Sequence, residues 1–172
     1  MSSVPRVVIQ AADFDAGVEA AALRAADARI GAVCCFIGTV RDRHGDSSAA
    51  ARGGNSPAGL PVLSMELEHY PGMTEKAIEA MIDEAQRRFG IIGARVIHRV
   101  GLLAPLDQIM MVATTAAHRG ESFQACEFLM DYLKTQAPFW KKEQTPEGAR
   151  WVDARVSDDA ALARWGIAAR NA

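Results

Sequence analysis

Two lysines, Lys134 and Lys141, flank the segment Ala137-Pro138-Phe139-Trp140 in a chain of 172 residues. Ammonium groups beside a proline corner and two large aromatics can hold an anion or, where burial removes water, exchange a proton. The run before Pro138 reads as a helix. Stepping about 100° per residue from Phe123 at 0° puts Lys134 at about 20°, beside Met130 at about 340° and Cys126 at about 300°. This aims its ammonium along the apolar stripe in the last turn. The plainer alternative is a lysine that complements the negative end of the helix dipole and reaches water. Beyond Pro138 an extended chain turns Phe139, Lys141 and Glu143 one way and Trp140 and Lys142 the other. A turn at the proline can bring Lys134 and Lys141 together, and flanking aromatics would shield the amines. The alternative for Lys141-Lys142 is a solvated strand edge.

Other cations stand at the ends of apolar elements. Ala117-His118-Arg119 follows a strand and opens the same helix, where free backbone N–H groups and a guanidinium fork favour an anion. Arg41 closes the apolar run Gly31 to Arg41. The recurring pattern fits a site for a phosphate or carboxylate, with a surface His-Arg pair as the alternative.

The elements that must position these groups are readable in outline. Pro5 to Gln10 is an expected strand, and Asp13 is an expected cap for the alanine-rich helix that follows. Gly31 to Arg41 reads as a buried strand. Residues 44–61 are rich in Gly, Ala, Ser and Pro with no aromatic, so a flexible loop is expected at about 43–61. From Val62 an alternating run places Leu63, Met65, Leu67 and His69 on one face. Thr74 is an expected cap for a helix with the stripe Ile78, Met81, Ile82, Ala85 and Phe89, ended by Gly90. Two strands follow with a turn near Ala104-Pro105, then the helix from about Gly120 to Gln136. A hairpin turning at Thr145-Pro146-Glu147-Gly148 and a short helix capped by Ser157 close the chain. Sequential hairpin partners predict an α+β fold, one domain over residues 1–172, with a mostly antiparallel sheet.

Composition narrows the function classes. A net charge of −2 gives no global signal for nucleic acid. No apolar run is long enough to span a bilayer, and the N-terminus lacks a signal-peptide pattern, so no membrane association and a cytoplasmic location are expected. The three cysteines include no CxxC, which argues against a disulfide framework or structural zinc and for small buried hydrophobes. The four histidines have no HxxxH or HExxH spacing, so no metal is expected.

The segments GTVRD (Gly38 to Asp42), LEHYPGMTEKA (Leu67 to Ala77), VIHRVG (Val96 to Gly101), AHR (Ala117 to Arg119) and MDYLKTQAPFWKKE (Met130 to Glu143), continued by TPEGARWV, resemble in order the large, catalytic subunit of molybdopterin synthase. The resemblance runs from about Val7 to Trp165. It implies an α/β hammerhead-type fold and a sulfurtransferase that builds the dithiolene of molybdopterin, in molybdenum cofactor biosynthesis, from cyclic pyranopterin monophosphate. The sulfur donor would be the C-terminal Gly-Gly thiocarboxylate of a small ubiquitin-like partner. A homodimer of large subunits inside a heterotetramer is implied, with no cofactor. The family's catalytic lysines match Lys134 and Lys141. Its substrate-contacting positions match Thr39, Val40, Arg41, His118, Arg119, Lys142 and Glu143. Two features depart from the family pattern: the long loop after Arg43, and Thr39 where a lysine is frequent. The alternatives are a non-enzymatic binder of a ubiquitin-like Gly-Gly tail, which an assay with thiocarboxylated partner and the cyclic pterin separates, and a Schiff-base lysine enzyme, which would trap a carbonyl substrate under borohydride with no partner protein.

Overall fold

The computed structural model describes residues 5–43, 61–152 and 163–166. The expected loop at about 43–61 and the helix capped by Ser157 fall largely outside the described residues. The element order is β1 (Val7–Gln10), α1 (Ala16–Arg24), β2 (Ala32–Thr39), β3 (Ser64–His69), α2 (Met73–Phe89), β4 (Gly93–Arg99), β5 (Gly101–Leu103), β6 (Gln108–Ala116), α3 (Arg119–Thr135), β7 (Phe139–Thr145) and β8 (Gly148–Val152). The strands form two four-stranded sheets, ordered β1-β4-β6-β2 and β5-β3-β7-β8. Among the described residues only β1 and β4 run parallel; the remaining pairs are antiparallel.

The period of each run decides which face it buries. On β4, Ala94 and Val96 point toward α2 and α3 and join Ile78, Ile82, Ala125, Phe128 and Leu129 in the main core. Their neighbours point the other way, where Ile97 packs with Phe14, Leu23, Met111 and Ala113 under α1. A third cluster of Val40, Met65, Leu67 and Leu103 lies on the inner face of the second sheet. The expected stripe of α2 is buried at Ile78, Ile82 and Ala85, and Gly90 ends the helix at φ +65°, a conformation that costs glycine little.

Several local expectations are corrected. Asp15, not Asp13, caps α1 through the N–H groups of Gly17 and Val18. The Asp13 carboxylate instead accepts from the Phe14 N–H and the Gln108 amide. Gly72 occupies the cap of α2, its N–H donating to Glu75, while Thr74 is wholly buried and bonds elsewhere. β2 is an edge strand and not a buried one: Val33, Phe36 and Ile37 are exposed. Cys34 is half-buried, Cys35 exposed and Cys126 buried. Burial pushes the Cys126 thiol up, and this thiol donates to the Val112 carbonyl at 3.7 Å.

The buried arc of α3 also sits elsewhere. Ser122, Ala125, Cys126, Phe128, Leu129, Met130, Tyr132 and Leu133 are its buried residues. On the same wheel they run from about 140° to about 340°, centred near 240°. Phe123 and Lys134, near 0° and 20°, fall outside it, and both are exposed. Ser122 belongs to the arc because its hydroxyl donates to the Thr114 carbonyl, while the Thr114 hydroxyl donates to the Ser122 carbonyl.

Candidate active site

β7 delivers the candidate residues in alternation. In its pairing with β3, Lys141 stands opposite Leu67 and Glu143 opposite Met65. Directly opposed residues of an antiparallel pair share a face, so Lys141 and Glu143 lie on the inner face with the third core cluster. Glu143 is buried, 3% exposed. Its carboxylate lies 3.3 Å from the Lys141 ammonium and 3.9 Å from the Arg150 guanidinium. A buried carboxylate needs such partners, because desolvation of an unpaired charge costs several kcal/mol. The side chain of Lys141 is half-buried, so one ammonium is anchored at the protein side and open at the other.

The segment after β2 reaches the same face. The register slips between Gly38 and Thr39, a bulge that redirects the chain at the sheet rim. Val40 then enters the third cluster at 1% exposure beside Met65 and Leu67. Its N–H donates to the Asp107 carbonyl and its carbonyl accepts from the Leu106 N–H. Thr39 and Arg41, on either side, are exposed. Val40, Lys141 and Glu143 are therefore brought together around Leu67 and Met65, with Arg41 adjoining.

Lys142 is on the opposite face. It pairs with Glu66 and Trp151, its ammonium lies 5.6 Å from the Trp151 ring, and it lines a depression of about 80 Å³ with Ser64, Glu66, Leu102 and Gln144. Trp140 shares that outer face, so only Phe139 stands on the side of Lys141. A broader concavity of about 550 Å³ lies between the start of α1 and Gln108 and contains none of the candidate residues.

His118, Arg119 and Lys134 all ride on α3. His118 is the extended N-cap and places no side-chain bond on the helix N–H groups. Arg119 is the first helical residue, and Lys134 lies in the last turn. All three are exposed. At about 1.5 Å rise per residue, Arg119 and Lys134 stand about 22 Å apart along the axis. Head and tail of α3 thus flank different regions of one chain. The entry to α3 is fixed by Gly31, whose N–H donates to the Ala116 carbonyl. A Cβ there would lie 2.2 Å from the Ala117 carbonyl oxygen, so only glycine permits the approach.

Sequence reasoning missed the residues that fix the corner before β7. His98 is buried and stacks on Phe139, ring centroids 3.8 Å apart and planes at 15°. Its Nδ1 is 2.8 Å from the Arg99 carbonyl and therefore carries the proton. Burial lowers its pKa to about 4, outweighing that hydrogen bond. His69, the β3 partner of Phe139, sits 3.7 Å from the Glu75 carboxylate. Their presence in LEHYPGMTEKA and VIHRVG was the available signal; no spacing rule linked them. Among the described residues no cluster of His, Cys, Asp or Glu could hold a metal ion, and no helix is long and apolar enough to cross a membrane.

A family model described as MoaE protein matches residues 9–136. A molybdopterin synthase catalytic subunit from Ralstonia nicotianae is 59% identical, over 98% of this chain and 89% of its own length. Among solved structures, the molybdopterin biosynthesis MoaE protein from Burkholderia ambifaria MC40-6 is 57% identical with a TM-score of 0.76, covering 95% of this chain and 99% of that one. A chain of the complex between subunits 1 and 2 of molybdopterin-converting factor from Helicobacter pylori 26695 shares the fold at 17% identity, with a TM-score of 0.63 over 87% of this chain and 90% of that one.

Proposed function

The chain belongs to the MoaE protein family, and on that premise we propose that it acts as the catalytic subunit of molybdopterin synthase. It takes sulfur from the C-terminal thiocarboxylate of a small ubiquitin-like partner and places it on cyclic pyranopterin monophosphate, in the cytoplasm. The observation that carries the reading is the Lys141 ammonium, anchored on the buried Glu143 at the inner face where Val40 and Arg41 arrive. A thiocarboxylate and a phosphorylated pterin are both anions and repel. Fixed positive charge is needed before they can be held at reacting distance. Sulfur attack on carbon also requires a proton for the departing oxygen, and an ammonium is a donor for it. In this reading Lys134 and Lys141 stabilise charge and move the proton, while Thr39, Val40, Arg41 and Glu143 line the approach; Lys142, on the outer face of β7, takes no part in this pocket. His118 and Arg119 hold the phosphate.

The length of α3 gives this arrangement a consequence. His118 and Arg119 cannot join Lys134 in one site of one chain, since the helix holds them about 22 Å apart. In this reading the residues that hold the phosphate, His118 and Arg119, therefore come from the α3 head of a second copy in a homodimer. Replacing Lys134 or Lys141 by alanine should abolish sulfur transfer from thiocarboxylated partner to the cyclic pterin while partner binding persists; wild-type turnover in both variants sinks the assignment. Mixing Lys141→Ala with Arg119→Ala chains and allowing exchange should restore about a quarter of wild-type turnover, because half of the dimers then hold one intact site. No recovery would place both groups in one chain.

A further inference from the structure

The corner between Lys134 and Lys141 is gripped by residues that the proposed reaction does not use. The buried Thr74 hydroxyl donates to the Pro138 carbonyl at 3.2 Å and accepts from the Tyr70 N–H at 3.1 Å. Gly72 donates to Glu75 at 2.7 Å, which closes the 69–75 turn onto the head of α2. From the other side His98 stacks on Phe139, and His69 stands opposite it across the β3–β7 pairing. The Phe139 N–H turns back to the Ala137 carbonyl at 2.8 Å, and the Gln136 and Ala137 N–H groups both reach the Tyr132 carbonyl. Every backbone group from Gln136 to Phe139 that these bonds hold lies between the two lysines. Phe139 and Lys141 are two residues apart on one strand face, so a displacement of the first is passed to the second.

We infer that the turn 69–75 and His98 form a clamp on Pro138-Phe139, and that Thr74 is a positioning residue for Lys141. The inference rests on the reaction assigned above to that lysine. Thr74 lies wholly inside the protein and touches no reacting atom, yet its hydroxyl ties the head of α2 to the chain that carries the ammonium. A misplacement of about 1 Å at a reacting group can cost about 100-fold in rate. The clamp thus acts on the chemical step and leaves the binding of either anion almost unchanged.

The test uses the whole chain with its thiocarboxylated small partner and the cyclic pterin. Thr74→Val keeps the branched shape and removes the hydroxyl. It should lower kcat about tenfold or more per folded molecule, with KM for the pterin and Kd for the partner within about twofold. Thr74→Ser, which restores the hydroxyl, should recover kcat to within about threefold. Where Thr74→Val does not fold, Phe139→Leu removes the His98 stack, keeps an apolar side chain and should give the same split. An unchanged kcat per folded molecule, or a rise in KM with kcat intact, overturns the clamp. Lys141→Ala in the same assay separates the two failures. If it is inactive while Thr74→Val turns over normally, only the clamp is wrong. If it is active, the assignment of Lys141 falls and the clamp with it.

Discussion

In the first sheet β4 and β6 are covered on both faces, by α2 and α3 on one side and by α1 on the other: Val96, Ile97, Met111 and Val112 are each at most 1% exposed. In the second sheet burial alternates. Met65, Leu67 and Glu143 point inward, while Leu102, Trp140 and Trp151 stand exposed on the other face. The two sheets share their pairing chemistry and differ in what covers them. A strand closed on both faces has room only for apolar side chains or for polar ones whose partners lie inside, as the Thr114 hydroxyl donates to the Ser122 carbonyl of α3 and Arg95 pairs with Glu19 of α1. A strand with one open face can carry an ion pair at the boundary, where one partner is anchored and the other reaches water. Cohesion thus collects in the first sheet, where the Arg95–Glu19 ion pair is largely closed off under α1, and solvent-facing charge chemistry in the second.

The strongest way to break this contrast is to truncate one large side chain in each region. Phe128, fully buried, packs edge-on against Phe89 and Trp165 at 5.5 and 5.6 Å. Phe128→Ala should cost about 3–5 kcal/mol in urea unfolding. Leu102→Ala, on a residue 74% exposed, should stay within about 0.5 kcal/mol. Comparable losses would remove the distinction between the sheets.

His98 tests the seam between them, because it belongs to β4 yet stacks on the first residue of β7. An ordinary imidazole titrates near 6.5, whereas burial holds this one at about 4. Between those values the unfolded chain takes up a proton that the folded chain refuses. Its contribution is therefore complete above about pH 6.5 and is lost as pH falls toward 4, up to about 3 kcal/mol in all. The titratable group facing it from the neighbouring strand is His69, which lies 3.7 Å from the Glu75 carboxylate. Urea midpoints measured from pH 7.5 to 4.5 should fall steeply in the wild type. They should fall less in His98→Phe, which keeps the stack on Phe139 and removes the titration.

Glu143 and Glu66 compare the two faces of the second sheet directly. Glu143 is the anchor of Lys141 and Arg150 inside; Glu66 stands outside opposite Lys142. Glu143→Gln leaves the ammonium beside a neutral amide. Because Lys141 is partly solvated, the loss should be about 1–2 kcal/mol, less than for a fully buried pair, with a clear fall in turnover. Glu66→Gln should move stability by less than about 0.5 kcal/mol and leave turnover unchanged. Equal effects would mean that the inner face holds no special environment.

What could be read from the sequence follows the same division. Period alone located the buried face of α2, Met65 and Leu67 of the expected set Leu63, Met65, Leu67 and His69, and the opposed faces of β7, because each signal is local; Leu63, which precedes β3, is 56% exposed. The neighbours of each strand are not written in its own residues. β2 has the composition of a buried strand, and only the order β1-β4-β6-β2 makes it an edge. The arc of α3 was misplaced because Ser122 and Ala125 bury without being strongly apolar, while Phe123 is exposed. The two helix caps were displaced by two residues because Asp13 and Thr74 found partners in other elements. The lysines flanking Pro138 were visible as chemistry, but Thr74, His69 and His98 bear on them only through contacts made across the fold.

The smallest expected effect lies where the chain passes from one sheet to the other. Between β5 and β6 the Asp107 N–H closes a turn on the Ala104 carbonyl at 3.0 Å, and Leu106 takes φ +77° at its third position. A side chain in that region costs roughly 1–2 kcal/mol, and this one is 85% exposed, so burial offsets little of it. Leu106→Gly relieves the strain but loosens the unfolded chain by about 0.4–1 kcal/mol. The net should be a gain of a few tenths to about 1 kcal/mol, measured as a raised urea midpoint. Turnover should not change, because the bond from Leu106 to the Val40 carbonyl is made by the backbone and survives the substitution. A gain in stability with a loss of turnover would mean that the strained turn holds Val40 and Arg41 in their working position, and the joint between the sheets would then belong to the site.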